Sequence, residues 1–262
     1  MISTVKLTRR FGAICAVDGL CLEVEAGEIF GLVGRNGAGK TTTIKMLTTL
    51  LPPSSGTASI AGYDVVSQAA RVRRVIGYVP QALSADGELT GYENLLIFAR
   101  LYDIPRAQQK QRIADALRFM DLEEASPRLV RSYSGGMIRR LEIAQSTLHR
   151  PQVLFLDEPT VGLDPLARHT VWEHLKRLNE ELGTTVVVTT HYMEEAEALC
   201  KRIAIMHRGA LAACDSPQGL KARTGASATL DDAFVRFTGD SPEDEAGYAN
   251  TSATRTAASR LG

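Results

Sequence analysis

The sequence has few aromatic residues and no excess of charge of either sign. Among its 262 residues, aromatics make up 6%, with a single Trp, and 30 basic residues balance 30 acidic ones. A chain built mainly to coat nucleic acid normally carries a strong basic excess. We therefore expect no nucleic acid among its partners.

Long hydrophobic runs are also missing. The longest apolar runs, around residues 153–156 and 186–188, have the length of buried strands, whereas a membrane-spanning helix needs roughly 18–20 apolar residues. The first ten residues, MISTVKLTRR, lack the basic-then-apolar layout of a secretory signal. The sequence thus predicts a chain that neither spans a membrane nor leaves the cytoplasm by the usual signal route.

Cysteine is sparse and follows no motif. The four cysteines, Cys15, Cys21, Cys200 and Cys214, form no C-x-x-C pair and have no His at metal-ligand spacing. Four cysteines allow two disulfides, but in a long chain without a signal we expect reduced thiols in the core.

The pattern of the chain indicates an α/β fold with a parallel sheet. Hydrophobic residues at 44% and charged residues at 23% are ordinary for a globular protein. Residues 3–30 alternate between apolar and polar, which predicts an N-terminal antiparallel β subdomain with one wet face. Buried strands then alternate with helices, which predicts a parallel sheet covered on both faces. The predicted buried strands are 28–33, 153–157, 185–190 and 202–206.

Residues 88–150 are helical in pattern and are predicted to form an inserted α-helical subdomain. Thr90 and Glu93 form a capping box ahead of its first helix, and Pro105 opens the next. After a second Thr-x-x-Asp cap at Thr229, one short helix reaches about residue 237. The remaining residues, 239–262, are small and polar, and we predict that they are disordered. Helices are predicted over about 41–51, 94–102, 105–120, 136–149, 166–182 and 193–200.

A glycine-rich loop between a buried strand and a helix matches the pattern G-x-x-x-x-G-K-[ST]. Glycines let the backbone wrap closely around phosphate oxygens, with N–H groups and a helix N-terminus facing the negative charge. Lys40 is placed to reach the β- and γ-phosphates, and the Thr41 hydroxyl to bind Mg²⁺. We predict phosphate binding here rather than a simple turn. The loop comprises Gly34, Arg35, Asn36, Gly37, Ala38, Gly39, Lys40 and Thr41.

Two carboxylates end the hydrophobic strand at 153–157. Asp157, beside the phosphate loop, is suited to hold Mg²⁺ directly or through water. Glu158, one residue later, is expected on the opposite side, where it would orient or deprotonate an attacking water. The alternative is a solvated acidic strand end, which the nearby phosphate loop disfavours.

Ser134, Gly135 and Gly136 precede an amphipathic helix and form a second helix start suited to an anion. Ser134 fits the N-cap, and the two glycines expose the amide donors of the helix. One chain has no evident need for a second anion-binding helix start beside the phosphate loop. The alternative explanation for these residues is that they only cap the helix.

Six motifs in this order resemble the nucleotide-binding subunit of ABC transporters over about residues 3–235. The resemblance implies an α/β P-loop ATPase core with the two subdomains described above. The motifs are Walker A at 34–41, the Q-loop at Gln81, the signature YSGGM at 133–137, Walker B at 153–158, the D-loop around Asp164 and the switch residue His191.

In that family two ATPase subunits face head to tail, and each ATP lies between the phosphate loop of one and the signature of the other. The resemblance therefore implies an obligate dimer, as a homodimer or with a close relative, in which the signature contacts the γ-phosphate bound to the partner. This would resolve the duplication of the two helix starts. The signature residues concerned are Ser134, Gly135 and Gly136.

The resemblance also implies a role for each remaining site residue. Glu158 would be the general base, His191 would contact the γ-phosphate and position water, and Asp164 would communicate across the interface. The expected cofactors are ATP and Mg²⁺, with Mg²⁺ bound by Thr41, Gln81 and Asp157. Thr42 would touch the α-phosphate, and Phe11 would stack on adenine where the family usually has Tyr.

Two departures from the family pattern indicate which branch of the ABC ATPases the chain resembles. Tyr133 replaces the usual Leu and is expected to pack rather than to touch phosphate, and Met137 replaces the commoner Gln. Together with the sequence TLDDAF at 229–234, they resemble daunorubicin/doxorubicin-resistance ATPases. This implies an exporter of drugs, lipids or other hydrophobic small molecules, with the chain peripheral on the cytoplasmic face of the membrane.

An exporter ATPase without a spanning helix needs separate integral-membrane permease subunits. Residues 82–100 are the expected docking segment, with Leu95, Leu96 and Phe98 in the core and exposed neighbours making the contact. The competing interpretation is a soluble ABC-type ATPase that acts on ribosomes or DNA, which the single cassette and neutral charge disfavour. An inactive regulatory subunit is disfavoured because Glu158 and His191 are both present.

Overall fold

A computed structural model describes residues 1–239. The strands are β1 (Ile2–Phe11), β2 (Ile14–Val24), β3 (Ile29–Val33), β4 (Ser55–Ile60), β5 (Tyr63–Asp64), β6 (Ile76–Val79), β7 (Val153–Asp157), β8 (Thr185–Thr190), β9 (Arg202–His207) and β10 (Ala210–Asp215). The helices are α1 (Lys40–Leu47), α2 (Ala69–Val75), α3 (Gly91–Leu101), α4 (Arg106–Phe119), α5 (Gly135–Thr147), α6 (Pro165–Leu182), α7 (Met193–Leu199), α8 (Pro217–Thr224) and α9 (Leu230–Thr238). Gly239 ends α9 in a left-handed conformation. The rest of the tail predicted at 239–262 lies outside the described residues.

The larger sheet has the strand order β10-β9-β3-β8-β7-β6. All pairs are parallel except β10 with β9. Every residue of β3, β7 and β8 is buried, because both faces of the sheet are covered. Helices cover one face, and α1 together with strands β1, β2 and β4 covers the other. The predicted parallel sheet is confirmed. Strands β6 and β10 were not predicted.

The smaller sheet is antiparallel, with the order β2-β1-β4-β5. Strands β1 and β2 confirm the antiparallel β element predicted for the N-terminal region. Strands β4 and β5, which follow α1 in the chain, complete this sheet and were not predicted. The first half of β4 is exposed, so the segment carries little of the apolar alternation that identifies a strand.

Helix α1 ends at Leu47, earlier than the predicted end at residue 51. The Thr48 hydroxyl donates to Ile44 O at 2.8 Å, and Thr49 takes a left-handed conformation with φ of 64°. The amides of Leu50 and Leu51 both turn back to Lys45 O. Since this wrap satisfies carbonyls of the last turn, the helix ends before the prolines at 52 and 53 take effect.

Three helices, α3, α4 and α5, lie between β6 and β7. The capping box of Thr90 and Glu93 is present as predicted. Leu95 is buried, and Leu96 and Phe98 pack against the same core, which confirms their predicted core positions. In residues 1–239 no helix combines the length and apolar character that membrane crossing requires.

The four cysteines are free thiols, as predicted, but not all lie in the core. Cys200 is buried, and burial raises the pKa of its thiol. Cys15 and Cys214 are partly buried, whereas Cys21 is exposed. The core prediction is wrong for Cys21 because it occupies an outward-facing position in the alternating pattern of β2.

His149 makes stability depend on pH. Its ring stacks on Tyr102 with centroids 3.8 Å apart, and Nε2 contacts Ile76 O at 3.0 Å. Burial lowers the pKa of His149 more than the Ile76 contact raises it. The unfolded chain therefore binds the proton more readily, so this group lowers stability as the pH falls through about 6.5.

We expect the replacement His149→Gln to make the melting temperature less dependent on pH. Thermal unfolding between pH 5 and 8 measures this, with the exposed His169→Gln as control. An identical pH profile for wild type and His149→Gln would contradict the assignment.

Candidate active site

The phosphate loop is packed tightly between β3 and α1. A Cβ at Gly34 would lie 2.6 Å from Met206 O, and one at Gly39 would lie 2.5 Å from Ala16 O. Gly39 also has a φ of 104°, which favours glycine over residues with a side chain. Only glycine therefore fits these two positions, and the loop backbone is held in one path around the start of α1.

The Lys40 ammonium lies inside this loop. Its side chain is buried, and Nζ donates to Gly34 O at 2.6 Å and to Arg35 O at 3.2 Å. Nζ also lies 3.1 Å from Glu158 Oε1. The loop thus places one buried positive charge beside the carboxylate at the end of β7.

Asp157 and Thr41 meet at the end of β7. The Thr41 hydroxyl donates to Asp157 Oδ1 at 3.1 Å, and the Thr189 hydroxyl donates to the same oxygen at 2.6 Å. Burial and the charge of Asp157 raise the pKa of Tyr78 to about 12. Hydroxyl and carboxylate oxygens are the ligands that Mg²⁺ prefers, so the donor chemistry of Thr41 and Asp157 fits this cation.

Glu158 lies at the centre of the cluster. Its φ is 50°, and its amide donates to the carbonyl and hydroxyl of Thr189. Its carboxylate contacts Lys40, receives a hydrogen bond from Gln81 Nε2 at 3.2 Å and lies 3.3 Å from His191 Nδ1. The two predicted catalytic residues Glu158 and His191 are therefore in contact, and the predicted metal ligand Gln81 lies beside them.

The carboxylates at 157 and 158 do not diverge as strand alternation predicts. Asp157 contacts Thr41, and Glu158 contacts the adjacent Lys40. The left-handed backbone at Glu158 ends the alternation and brings both groups to the same loop, so the expected opposite placement is wrong.

The signature residues lie next to the D-loop. Ser134 caps α5 by accepting from Met137 N, and Asp164 caps α6 by accepting from Ala167 N at 2.9 Å. Gly136 is buried, and a Cβ there would lie 2.8 Å from Ala167 Cβ. Ser134 and Gly135 are exposed. The single chain thus places the signature against the start of α6.

Tyr133 packs, as predicted for the residue that replaces the family's Leu. The side chain is buried, and its hydroxyl donates to Ala125 O at 2.8 Å. Phe11 ends β1 with 46% of its surface exposed and the Arg9 guanidinium 4.7 Å from its ring centroid. The roles predicted for Phe11 and Thr42 stay predictions.

Sequence reasoning missed three residues that hold the site together. Thr189 bonds to both Asp157 and Glu158, and its position next to them depends on the pairing of β7 with β8. Arg139 and Glu142 form a buried ion pair that contacts the backbone around Gln81. The available signal was an oppositely charged pair three residues apart on α5, with no indication that it was buried.

Comparison with known proteins places the chain in a family. Residues 17–161 match the family described as ABC transporter. The chain is 45% identical over 226 residues to the daunorubicin/doxorubicin resistance ATP-binding protein DrrA of Streptomyces peucetius, covering 86% of this chain and 68% of DrrA. The chain belongs to the ABC transporter family. As an ABC ATP-binding subunit, it binds nucleotide and hydrolyses ATP.

Two further similarities support the ABC assignment. The chain is 43% identical over 220 residues to the Nod factor export ATP-binding protein I of Ralstonia nicotianae, covering 84% of this chain and 68% of that protein. It is 28% identical to the ATP-binding cassette MJ0796, solved as a dimer in a post-hydrolysis state with ADP and Pi. That comparison has a TM-score of 0.72 and covers 82% of this chain and 98% of the other. The predicted family and fold are confirmed.

We expect Lys40→Ala to weaken ATP binding at least about tenfold, because a charge-assisted bond to phosphate is lost. The exposed Lys45→Ala on the same helix is the matched control. Equilibrium titration with a fluorescent ATP analogue measures both affinities, and an unchanged affinity of Lys40→Ala would contradict its phosphate role.

Proposed function

We propose that this ABC ATPase powers an exporter by closing a head-to-tail dimer on ATP and passing the motion to separate integral-membrane permease subunits. One observation carries the dimer: Ser134 and Gly135 present an exposed, capped helix start. In the same chain this start lies against Leu163 of the D-loop and Ala167 of α6. Helix starts of this kind are suited to anions. In the proposed dimer the anion is the γ-phosphate of ATP bound to the partner.

Hydrolysis in this proposal follows from the contacts of Glu158. Lys40 exchanges its carboxylate partner for phosphate oxygens when ATP binds, which releases Glu158 to accept a proton from the attacking water. His191, 3.3 Å from that carboxylate, is placed to contact the γ-phosphate. Thr41, Asp157 and Gln81 would hold Mg²⁺: Thr41 contacts Asp157, and Gln81 contacts the neighbouring Glu158. Bound Mg²⁺ would neutralise charge on the β- and γ-phosphates.

The solved relative MJ0796 supports the dimer, since it was captured as a dimer with ADP and Pi. The partner of this chain is a second copy or a close relative. Asp164 lies beside the signature through Ala167, so the proposed partner would meet both residues on one surface. This position supports the communication across the interface predicted for Asp164.

The inserted helices offer a surface for a membrane subunit. Leu101, Leu83 and Ile97 are exposed at 70%, 52% and 43%, while Leu95 between them in sequence is buried. Such exposed apolar residues mark interaction sites when they lie together. Ile97 and Leu101 are four residues apart on α3 and share one face of that helix, and Leu83 belongs to the docking segment predicted at 82–100. The relatives DrrA and the Nod factor protein are named for drug resistance and export, which supports an exported hydrophobic cargo. The chain would then be peripheral on the cytoplasmic face of the membrane.

We expect Glu158→Gln to bind ATP, to lose nearly all turnover and to accumulate a dimer with bound ATP. The amide keeps the shape of the side chain but cannot accept the proton. Size-exclusion chromatography with light scattering, with and without ATP, measures the dimer, and phosphate release measures turnover.

The exposed Glu180→Gln is the control for this experiment and should behave as wild type. Hydrolysis at the wild-type rate by Glu158→Gln would refute its role as the base. An inactive variant that stays monomeric with ATP would refute the ATP-driven dimer.

The membrane partner is tested by purifying the tagged chain from gently solubilised membranes. We expect a stoichiometric multi-helix membrane protein, and we expect Leu101→Glu to reduce its recovery, because a charge is introduced into the apolar contact. Leu182→Glu, at an exposed position of α6, is the control. Recovery with ribosomes or DNA-processing proteins instead would refute the transporter proposal.

A further inference from the structure

Helix α5 carries an ion pair that is almost completely removed from solvent. Arg139 Nη1 lies 2.9 Å from Glu142 Oε2, and their side chains are 3% and 2% exposed. Burial lowers the pKa of Arg139, and the charge of Glu142 opposes this shift. Buried charges are costly unless hydrogen bonds satisfy their remaining polar atoms. The partners of this pair therefore indicate what it does.

Those partners are the backbone on both sides of the Q-loop. Arg139 donates to Pro80 O at 2.8 Å and to Gln81 O at 2.9 Å. Glu142 Oε1 accepts from the amide of Ser84 and, at 3.1 Å, from its hydroxyl. Arg139 thus holds the loop at two carbonyls, and Glu142 holds it at the amide of Ser84.

The held segment reaches directly into the active site. Gln81, whose carbonyl is bound by Arg139, donates from its side chain to Glu158 Oε2 at 3.2 Å. Arg139 and Glu142 lie on the same helix that begins after Ser134. A continuous set of contacts therefore runs from the signature, along a rigid helix, to the carboxylate at the end of β7.

We propose that Arg139 and Glu142 are positioning residues that hold Gln81 at the active site and make its placement follow the position of α5. This inference rests on the role proposed above for Gln81. In a closed dimer the signature would engage the partner's ATP, and the same helix would set Gln81 in its own site. The pair acts on the reaction only through Gln81.

A purely structural role of the ion pair would have a different consequence for activity. A buried ion pair replaced by apolar side chains of similar volume often costs little stability, so Arg139→Met combined with Glu142→Leu should leave a folded protein. If the pair merely filled space, this double variant would keep its activity. As positioning residues, they leave a folded but impaired enzyme.

The decisive experiment is a double-mutant cycle between Arg139→Met and Gln81→Ala, measured as steady-state ATPase activity of the full chain. We expect Arg139→Met to lower kcat about tenfold to a hundredfold, as losses of supporting residues around metal sites do. ATP affinity should stay within about twofold, since residues 34–41 hold the nucleotide. In the Gln81→Ala background, Arg139→Met should change kcat by less than about twofold.

A second readout needs no nucleotide. Hydrogen exchange of the free protein should be faster at residues 81–84 in Arg139→Met, because the loop loses its two hydrogen bonds to Arg139, and unchanged at 40–47. Arg140→Met is the matched control, because Arg140 lies on the same helix but donates to Met120 O. That variant should leave exchange at 81–84 as in wild type.

Equal losses of kcat from Arg139→Met with and without Gln81 would overturn the proposal, as would unchanged exchange at 81–84. If Arg139→Met does not fold, Glu142→Gln takes its place in both measurements, since it removes the charge and keeps the shape. A Gln81→Ala variant with wild-type kcat would instead refute the role of Gln81 in the proposed function. The exchange data would then still decide whether the pair holds the loop.

Discussion

The parallel pairing of β3, β8 and β7 is the constraint on which the active site depends. Val33 pairs with Thr190 and Thr189 pairs with Asp157, so the three strands end at one level. The phosphate loop, His191 and Glu158 each follow the end of a strand within a residue or so of that level. Because the strands are buried on both faces, a slip in register by one residue would move each side chain into the opposite core, where its shape does not fit the close packing. Packing of the sheet thereby positions the charges of the site.

The two central charges of the site are buried. The side chains of Lys40 and Glu158 are 4% and 6% exposed, so water screens their contact little. An exposed glutamine, Gln81, and the partly exposed His191 reach the same carboxylate from the surface. Each contact comes from a different element, so the surroundings of the Glu158 carboxylate depend at once on the positions of α1, the Q-loop and the end of β8. This is the arrangement expected of a site whose chemistry must wait for several parts of the molecule to be in place.

Sequence reasoning succeeded where chemistry or burial is local. The phosphate loop and the two carboxylates at the end of β7 follow from short motifs, and buried parallel strands stand out as continuous apolar runs. It failed where a neighbour distant in sequence decides the outcome: β4 pairs with β1 across about fifty residues, and Arg139 donates to Pro80 O across 59. The burial of Arg139 and the left-handed backbone of Glu158 carry no signal in the pattern, since both depend on how other elements pack.

The contact between Gly136 and Ala167 makes one unit of two elements that the sequence separates. A hydrogen atom stands where any other residue would place a methyl group 2.8 Å from Ala167 Cβ. The starts of α5 and α6 therefore pack in direct contact, with no side chain of residue 136 between them. Neither helix start can shift without displacing the other. A methyl group added at residue 136 would act as a wedge that tilts the two caps apart. The absence of a side chain at Gly136 thus fixes the shape of the surface that the starts of α5 and α6 form together.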